Sequence, residues 1–134
     1  MSYALIFPGQ GSQSVGMLKD VYNDFSICRD IFNQASDIIG KNLWHIIQTD
    51  QQELNKTENT QPIMLAAGYS IYKILSKEVD LPITCMAGHS LGEYSALVAA
   101  NSIDFADTVK IVAKRAELMQ TAVADGSGAM AAII

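Results

Sequence analysis

The segment that most restricts the possible folds is a short apolar run that leads directly into a serine between two glycines. Ile83–Ala87 has the length and composition of a buried β-strand, and the chain continues into Gly88-His89-Ser90-Leu91-Gly92. An apolar segment through Ala100 follows and is typical of a helix. A strand that turns so abruptly into a helix needs small residues on both sides of the serine. The sequence therefore predicts a strand, a sharp turn with Ser90 at its top, and a helix.

A second apolar run, Tyr3–Phe7, predicts another buried strand of the parallel type. Pro8–Gly16 closes it and is predicted to be a loop, because three glycines and a proline oppose regular structure. The segments between these strands have helical patterns, so the order of elements is typical of an α/β fold with a parallel sheet. Further helices are predicted from Ser26 to a stop at Gly40, over Leu43–Ile47, from Thr60 to Lys77, and after Asp104.

The predicted helix ends follow from local residue types. Ser26 is expected to cap the first of these helices, and Gly40 is expected to end it. Gln51–Asn59 is polar and is predicted to be a surface turn region. The next helix is expected to start at Thr60, because the proline at position 62 is tolerated in a first helical turn. Asp104, with an acidic residue three positions on, predicts the start of the last long helix.

The last residues of the sequence predict a further strand. Asp125–Gly128 is expected to be a turn, and Ala129–Ile134 is an apolar run with the character of a strand. Two parallel strands do not form a sheet that is buried on both faces, and an exposed apolar strand at the edge of a sheet promotes aggregation. We therefore expect this chain to be a fragment of a larger domain.

Composition excludes several classes of function. The formal net charge is -5, and the nine lysines and arginines are scattered along the sequence, which argues against binding to nucleic acid or to an anionic membrane surface. No apolar stretch approaches the roughly 20 residues that a membrane span needs. Cys28 and Cys85 lack the neighbouring cysteines or histidines of a zinc or redox site, so no metal is expected. We expect both thiols to be small buried side chains of a cytoplasmic protein.

Ser90 is the candidate nucleophile. The helix after it directs free backbone N–H groups and a partial positive charge toward whatever the serine attacks, and the N–H of Leu91 is placed to stabilise an oxyanion. Gly88 and Gly92 provide the space that the turn requires. The alternative is a surface turn that happens to be flanked by glycines, but the strand before it and the apolar helix after it favour the catalytic interpretation.

A serine hydroxyl needs a base to act as a nucleophile at neutral pH, and this sequence offers few candidates. Its only histidines are His45 and His89, and none follows the serine. The side chain of His89 should point away from the neighbouring hydroxyl, so we expect it to support the turn through a hydrogen bond. His45 lies in an apolar helical segment and is expected to be a packed histidine. The missing base agrees with the interpretation of the chain as a fragment.

Four groups of residues together resemble one enzyme family. They are FPGQGSQ at 7–13, GHSLGEY at 88–94, Arg115 followed by Met119-Gln120, and GAMA at 128–131. In this order and approximate spacing they are similar to the malonyl-CoA:acyl-carrier-protein transacylase family, and the resemblance extends over essentially the whole chain. Members of that family are longer, and they contain a catalytic histidine and a glutamine that orients it, neither of which this sequence contains.

The resemblance implies a fold and a division into domains. The expected architecture is a partial α/β-hydrolase-like domain with a parallel sheet and a nucleophile elbow, truncated at the start of a small ferredoxin-like subdomain. Residues 1–124 would be the N-terminal part of the large α/β acyltransferase domain. Residues 125–134 would begin the small subdomain.

The resemblance also implies roles for individual residues. Ser90 would carry the malonyl group as an ester, and the backbone N–H groups of Gln10 and Leu91 would form the oxyanion hole. Arg115 would bind the free carboxylate of malonyl, since its planar fork of donors matches a carboxylate. The implied partners are malonyl-CoA, or coenzyme A, and acyl carrier protein in fatty-acid biosynthesis, and no cofactor is implied.

Arg115 separates this activity from its rivals. On a helical wheel it flanks the apolar stripe of the last helix, so it is expected to face the domain. An arginine in such a flanking position usually extends to solvent, and it is the resemblance that favours the carboxylate-binding role. A serine esterase or thioesterase for neutral esters has no use for such a guanidinium. An acyltransferase domain from a polyketide synthase, or a fragment without activity of its own, are the other interpretations that the sequence leaves open.

Overall fold

The computed structural model describes residues 2–124 and 127–128. Within these residues the chain forms two strands and seven helices. In chain order they are β1 (Tyr3–Phe7), α1 (Lys19–Asp24), α2 (Ser26–Ile39), α3 (Leu43–Thr49), α4 (Gln51–Leu54), α5 (Thr57–Glu78), β2 (Ile83–Gly88), α6 (Leu91–Ala99) and α7 (Phe105–Thr121).

The two strands lie side by side and run in the same direction, as the sequence predicts. Ile6 pairs with Ala87 and Phe7 pairs with Gly88, so both strands end at the same edge of the sheet. The loop after β1 and the sharp turn after β2 therefore meet at that edge. The α/β class and the parallel sheet are confirmed.

Helix α5 lies at the centre of the molecule. It packs against α2, α6 and α7, and its residues 59–67 are all buried. A helix that is buried on every side for more than two turns must lie between other elements. The main hydrophobic core forms around it, and a stacked aromatic pair, Tyr22 and Trp44, extends this core with ring centroids 3.6 Å apart.

The predicted start of α5 was wrong by one turn. The helix begins at Thr57, and Pro62 lies inside it. Asn59, which was expected on a surface turn, is completely buried, and its Nδ2 donates to the backbone carbonyl of Glu53 at 2.9 Å. The burial of residues 59–61 in the core stabilises an additional helical turn before Pro62, and this outweighs the preference of proline for the first turn of a helix.

The other helix ends are partly as predicted. Gly40 ends α2 with a left-handed φ of 72°, and Asp104 caps α7 by accepting hydrogen bonds from the N–H groups of Ala106 and Asp107. Ser26 does not cap α2, because the N-cap position belongs to Phe25 and no side-chain cap bond forms there. Helix α1 was not predicted, and α4 occupies part of the expected surface turn region.

The strands are less buried than expected. Ile6 of β1 is 77% exposed, and Cys85 of β2 is also exposed, whereas Cys28 is buried as predicted. A second small core of Phe7, Ala96 and Ala99 covers part of the sheet from the side of α6.

In the described residues, no helix combines the length and the apolar character that crossing a membrane requires. Most of the turn and strand expected over 125–134 lies outside the described residues.

Candidate active site

The turn between β2 and α6 has the sharp backbone geometry that the sequence predicts. Ser90 adopts φ 53° and ψ -107°, a conformation that residues with a side chain seldom adopt. A Cβ atom on Gly88 would lie 1.9 Å from the carbonyl carbon of Gly92, and one on Gly92 would lie 2.1 Å from the carbonyl oxygen of Phe7. Both glycines are therefore required by close backbone contacts, and the strained serine stands at the N-terminus of α6.

The end of β1 supports the turn through its backbone. The carbonyl of Phe7 accepts a hydrogen bond of 3.1 Å from the N–H of His89, and the carbonyl of His89 accepts one of 2.9 Å from Gly92. A Cβ atom on Gly9 would lie 2.8 Å from the carbonyl oxygen of His89, so the loop after β1 passes directly over the turn. The two glycine-containing segments that the sequence singled out are thus in direct contact.

Arg115 of α7 reaches the serine. Its Nη2 donates a hydrogen bond of 2.8 Å to Oγ of Ser90, across 25 positions of sequence. Its guanidinium carbon lies 5.7 Å from the ring centroid of Tyr94, one turn into α6, which is within the range of a cation–π contact. The sequence expectation that Arg115 faces the domain agrees with this position.

Gln61 is a site residue that the sequence analysis missed. Its Oε1 accepts a hydrogen bond of 2.8 Å from Nη1 of Arg115, and its side chain is completely buried in α5. In the sequence it was considered only as part of a helix start. The available signal was a glutamine next to the apolar residues that follow Pro62 in a predicted helix, where a buried polar side chain needs a partner.

The charge of Arg115 is not neutralised by a carboxylate of the described residues. The four ion pairs found there join lysines to exposed carboxylates and do not include any arginine. Because the partners of Arg115 are a hydroxyl, an amide oxygen and an aromatic ring, its positive charge remains available to an anion next to Ser90.

The two backbone groups expected to form an oxyanion hole lie in the segments that meet at the sheet edge. The N–H groups of Gly92 and Glu93 donate to the carbonyls of His89 and Ser90, whereas that of Leu91 has no acceptor in the described part of the chain. The loop that carries Gln10 is anchored to the start of α5 and the residues before it. Nε2 of Gln10 donates to Oγ1 of Thr57 at 3.2 Å, and Nε2 of Gln13 donates to Oδ1 of Asn55 at 3.1 Å.

Neither histidine forms a hydrogen bond with Ser90 in the described residues. His45 is exposed on α3, where its Nε2 lies 3.3 Å from Oγ1 of Thr49, so the expectation of a packed histidine was wrong. His89 is also exposed, and in the part of the chain that the structure describes its side chain forms no hydrogen bond. The hydrogen bond expected from this side chain is therefore not formed among the described residues, and the contribution of His89 to the turn comes from its backbone. The same described residues contain no cluster of three side chains able to ligate a metal.

Comparison with known proteins shows which family the chain belongs to. The family model described as acyl transferase domain matches residues 4–134. The chain belongs to the acyl transferase domain family. Among its curated relatives, the malonyl CoA-acyl carrier protein transacylases of Haemophilus influenzae and Escherichia coli K12 are 52% and 50% identical to it, each over 98% of this chain. The chain spans 43% of the length of each of these two relatives.

Solved structures of acyltransferases superpose well on the chain. An acyl carrier protein S-malonyltransferase from Vibrio cholerae gives a TM-score of 0.89 at 43% identity, and the superposition covers 95% of this chain and 42% of the Vibrio chain. A malonyl-transacylase in complex with its type II polyketide synthase acyl carrier protein gives 0.91 at 46% identity, with 94% of this chain and 41% of that chain covered. The fold of this acyl transferase segment is therefore the fold of the corresponding part of those enzymes.

Proposed function

We propose that the protein transfers a malonyl group from malonyl-CoA to the phosphopantetheine thiol of acyl carrier protein in fatty-acid biosynthesis. The observation that carries the proposal is the position of Arg115. Nη2 of its guanidinium lies 2.8 Å from Oγ of Ser90, and the guanidinium is not paired with any carboxylate of the described chain. An acyl group on Ser90 that ends in a carboxylate would bring that carboxylate close to the free cation. Relatives about half identical to this chain, which are named for this transfer, support the same activity.

The first half of the proposed reaction loads the enzyme. Oγ of Ser90 attacks the thioester carbonyl of malonyl-CoA, a C–O bond forms, and the N–H groups of Leu91 and Gln10 stabilise the oxyanion. The C–S bond then breaks, and the proton from Ser90 passes through a base to the sulfur of coenzyme A. The second half reverses these steps. The carrier thiol attacks the serine ester, the bond between Oγ and the acyl carbon breaks, and Oγ recovers a proton.

The base is proposed to come from outside this chain. A base must lie within hydrogen-bond reach of the proton that it removes. The hydrogen-bond partner of Oγ of Ser90 is Arg115, which cannot accept a proton, and the exposed side chains of His45 and His89 form no hydrogen bond with that oxygen in the described residues. By itself, the chain would then be an inactive fragment of the enzyme.

We further propose that the chain is part of an α/β-hydrolase-like domain. Residues 1–124 would form the N-terminal part of the large acyltransferase domain, and residues 125–134 would begin a small ferredoxin-like subdomain. Support comes from the parallel sheet, the strained serine and the exposed apolar side chains along the sheet and α5, such as Ile6 and Ile71. Because Cys28 and Cys85 are both free thiols, we also propose a reducing, cytoplasmic location.

The rival activity is hydrolysis by a serine esterase or thioesterase. Both activities use an acyl-serine, so the test compares the fate of the acyl group in the full-length protein. We expect transfer of malonyl from coenzyme A to a pantetheine thiol to exceed its release as free malonate, and hydrolysis of p-nitrophenyl acetate to be slow. Faster hydrolysis than transfer would reject the acyltransferase proposal.

A further inference from the structure

The amide of Gln61 is completely buried, and its two ends have different partners. Oε1 accepts the hydrogen bond from Nη1 of Arg115 at 2.8 Å, and Nε2 lies 3.2 Å from the sulfur of Met119. Arginine offers only donors, so the amide oxygen must face Arg115, which directs the amide N–H groups to the thioether, a weak acceptor. The chemistry of the two neighbours thus fixes the orientation of the Gln61 side chain.

Arg115 and Met119 lie one turn apart on α7, and Gln61 lies on α5, which packs against α7. A single buried side chain therefore joins the two helices at the level of the guanidinium. A buried, charge-assisted hydrogen bond of this length restricts the many rotamers that an arginine side chain otherwise samples.

We infer that Gln61 is a positioning residue that orients Arg115 toward the carboxylate of the acyl group while leaving the guanidinium charge unneutralised. This inference rests on the proposed malonyl transfer. A carboxylate at position 61 would also accept from Nη1, but it would form an ion pair with Arg115 and compete with the substrate. An apolar side chain would leave the guanidinium without its anchor. A neutral acceptor satisfies both requirements.

The hydrogen bonds also suggest how Arg115 changes partners during the reaction. Nη2 donates to the free hydroxyl of Ser90, whereas Nη1 donates to Gln61. When Oγ of Ser90 becomes an ester oxygen, it is a poorer acceptor, and Nη2 is released for the malonyl carboxylate. The bond to Gln61 is unchanged by this step, so Gln61 holds one edge of the guanidinium while the other edge changes its partner.

The experiment measures kcat/KM for malonyl-CoA and acetyl-CoA in the full-length protein and in its variants Gln61→Glu and Gln61→Leu. We expect Gln61→Leu to lower the value for malonyl-CoA by about 10- to 100-fold, the range of a hydrogen bond to a charged group, with a much smaller change for acetyl-CoA. Gln61→Glu, which is nearly isosteric, should lower malonyl transfer at least as much. Gln34→Glu, on the exposed side of α2, is the matched control and should leave both values unchanged.

The outcomes separate this inference from the proposed function. Equal losses of kcat/KM for the two thioesters in both Gln61 variants would overturn the positioning role, since a purely structural glutamine affects both substrates alike.

Arg115→Ala is measured in the same series. If Arg115→Ala selectively loses malonyl transfer but the Gln61 variants do not, only the inference about Gln61 fails. If Arg115→Ala shows no selectivity, the malonyl-binding proposal fails as well. Circular dichroism and thermal melting identify any variant that does not fold, and the other Gln61 variant then decides.

Discussion

Nη2 of Arg115 donates a hydrogen bond of 2.8 Å to Oγ of Ser90, and so joins the middle of α7 to the turn before α6. A cation at this distance stabilises negative charge that develops on Oγ as the hydroxyl loses its proton. The same cation is available to a carboxylate on the acyl group. One side chain can thus act on the nucleophile before acylation and on the acyl group after it.

The first prediction concerns the substrate preference that Arg115 confers. Replacing it by alanine should remove a charge-assisted contact of about 2–4 kcal/mol, so kcat/KM for malonyl-CoA should fall by about 30- to 1,000-fold. Acetyl-CoA has no carboxylate and should lose far less, and its residual loss reports the contact with Ser90. Steady-state kinetics of the full-length protein with both thioesters measures the difference.

Arg115→Lys is the informative companion variant. An ammonium cannot reproduce the two-point contact of a guanidinium, so lysine should restore little of the malonyl rate. Equal losses for malonyl-CoA and acetyl-CoA in the alanine variant would show that Arg115 is a structural residue.

The second prediction concerns covalent loading of Ser90. After brief exposure of the full-length protein to malonyl-CoA, mass spectrometry should find one malonyl group, and Ser90→Ala should abolish it because no other hydroxyl stands at the strained turn. Ser102→Ala, at an exposed position after α6, is the matched control and should load normally. A malonyl adduct that persists on the Ser90→Ala variant would assign the nucleophile to another residue.

The sequence predicted the features that depend on local patterns. The turn at Ser90 was predictable because its glycines and the strand before it are adjacent in sequence, and the inward direction of Arg115 was predicted from the helical wheel together with the family resemblance. Gln61 was not predictable as a partner of Arg115, because the two residues are 54 positions apart and neither carries a local sign of the other. The early start of α5 was missed for a related reason, since the burial of Asn59 depends on contacts with distant segments.

The third prediction concerns the glycines of the turn. Gly92→Ala would bring a Cβ atom to 2.1 Å from the carbonyl oxygen of Phe7, a clash with backbone that a side-chain rotation cannot relieve. We expect destabilisation of at least about 1–3 kcal/mol and loss of Ser90 acylation in any protein that still folds. In Gly68→Ala on α5, the matched control, the nearest atom is Oγ of Ser95 at 3.3 Å, a tight contact with a side chain that a small shift relieves, so its melting temperature and loading should change much less than those of Gly92→Ala. Normal acylation of Gly92→Ala would mean that the turn relaxes at no cost to function.

The fourth prediction concerns the 134-residue chain by itself. Because neither His45 nor His89 forms a hydrogen bond with Ser90, and the base is proposed to lie outside this chain, the isolated chain should show no malonyl transfer to pantetheine, even when circular dichroism shows it to be folded. His89→Ala in the full-length protein should retain most of its turnover, since the contribution of His89 to the turn is made by its backbone. Turnover by the isolated chain that disappears with His89→Ala would identify His89 as the base.

The last prediction uses the two cysteines to test whether the rest of a longer protein covers the sheet. Alkylation requires a thiolate, and burial raises the pKa of the Cys28 thiol above its usual value, so this fully buried side chain should resist iodoacetamide in both the isolated chain and the full-length protein. Because folding raises this pKa, ionisation of Cys28 at alkaline pH opposes the folded state. Protection of Cys28 from alkylation should therefore be lost only under conditions in which the protein unfolds around it.

Cys85 should behave differently in the two proteins. It is exposed on β2, in a groove of about 600 Å³ that is also lined by Met86, Ala96 and Leu97. If further elements of a longer protein pack on this face, as we propose, Cys85 should react readily in the folded 134-residue chain and slowly in the full-length protein. Mass spectrometry of timed samples gives both rates, and unfolding in guanidinium should make all cysteines react. Equal rates for Cys85 in the two proteins would show that this face of the sheet stays open, and would contradict the proposed completion of the domain there.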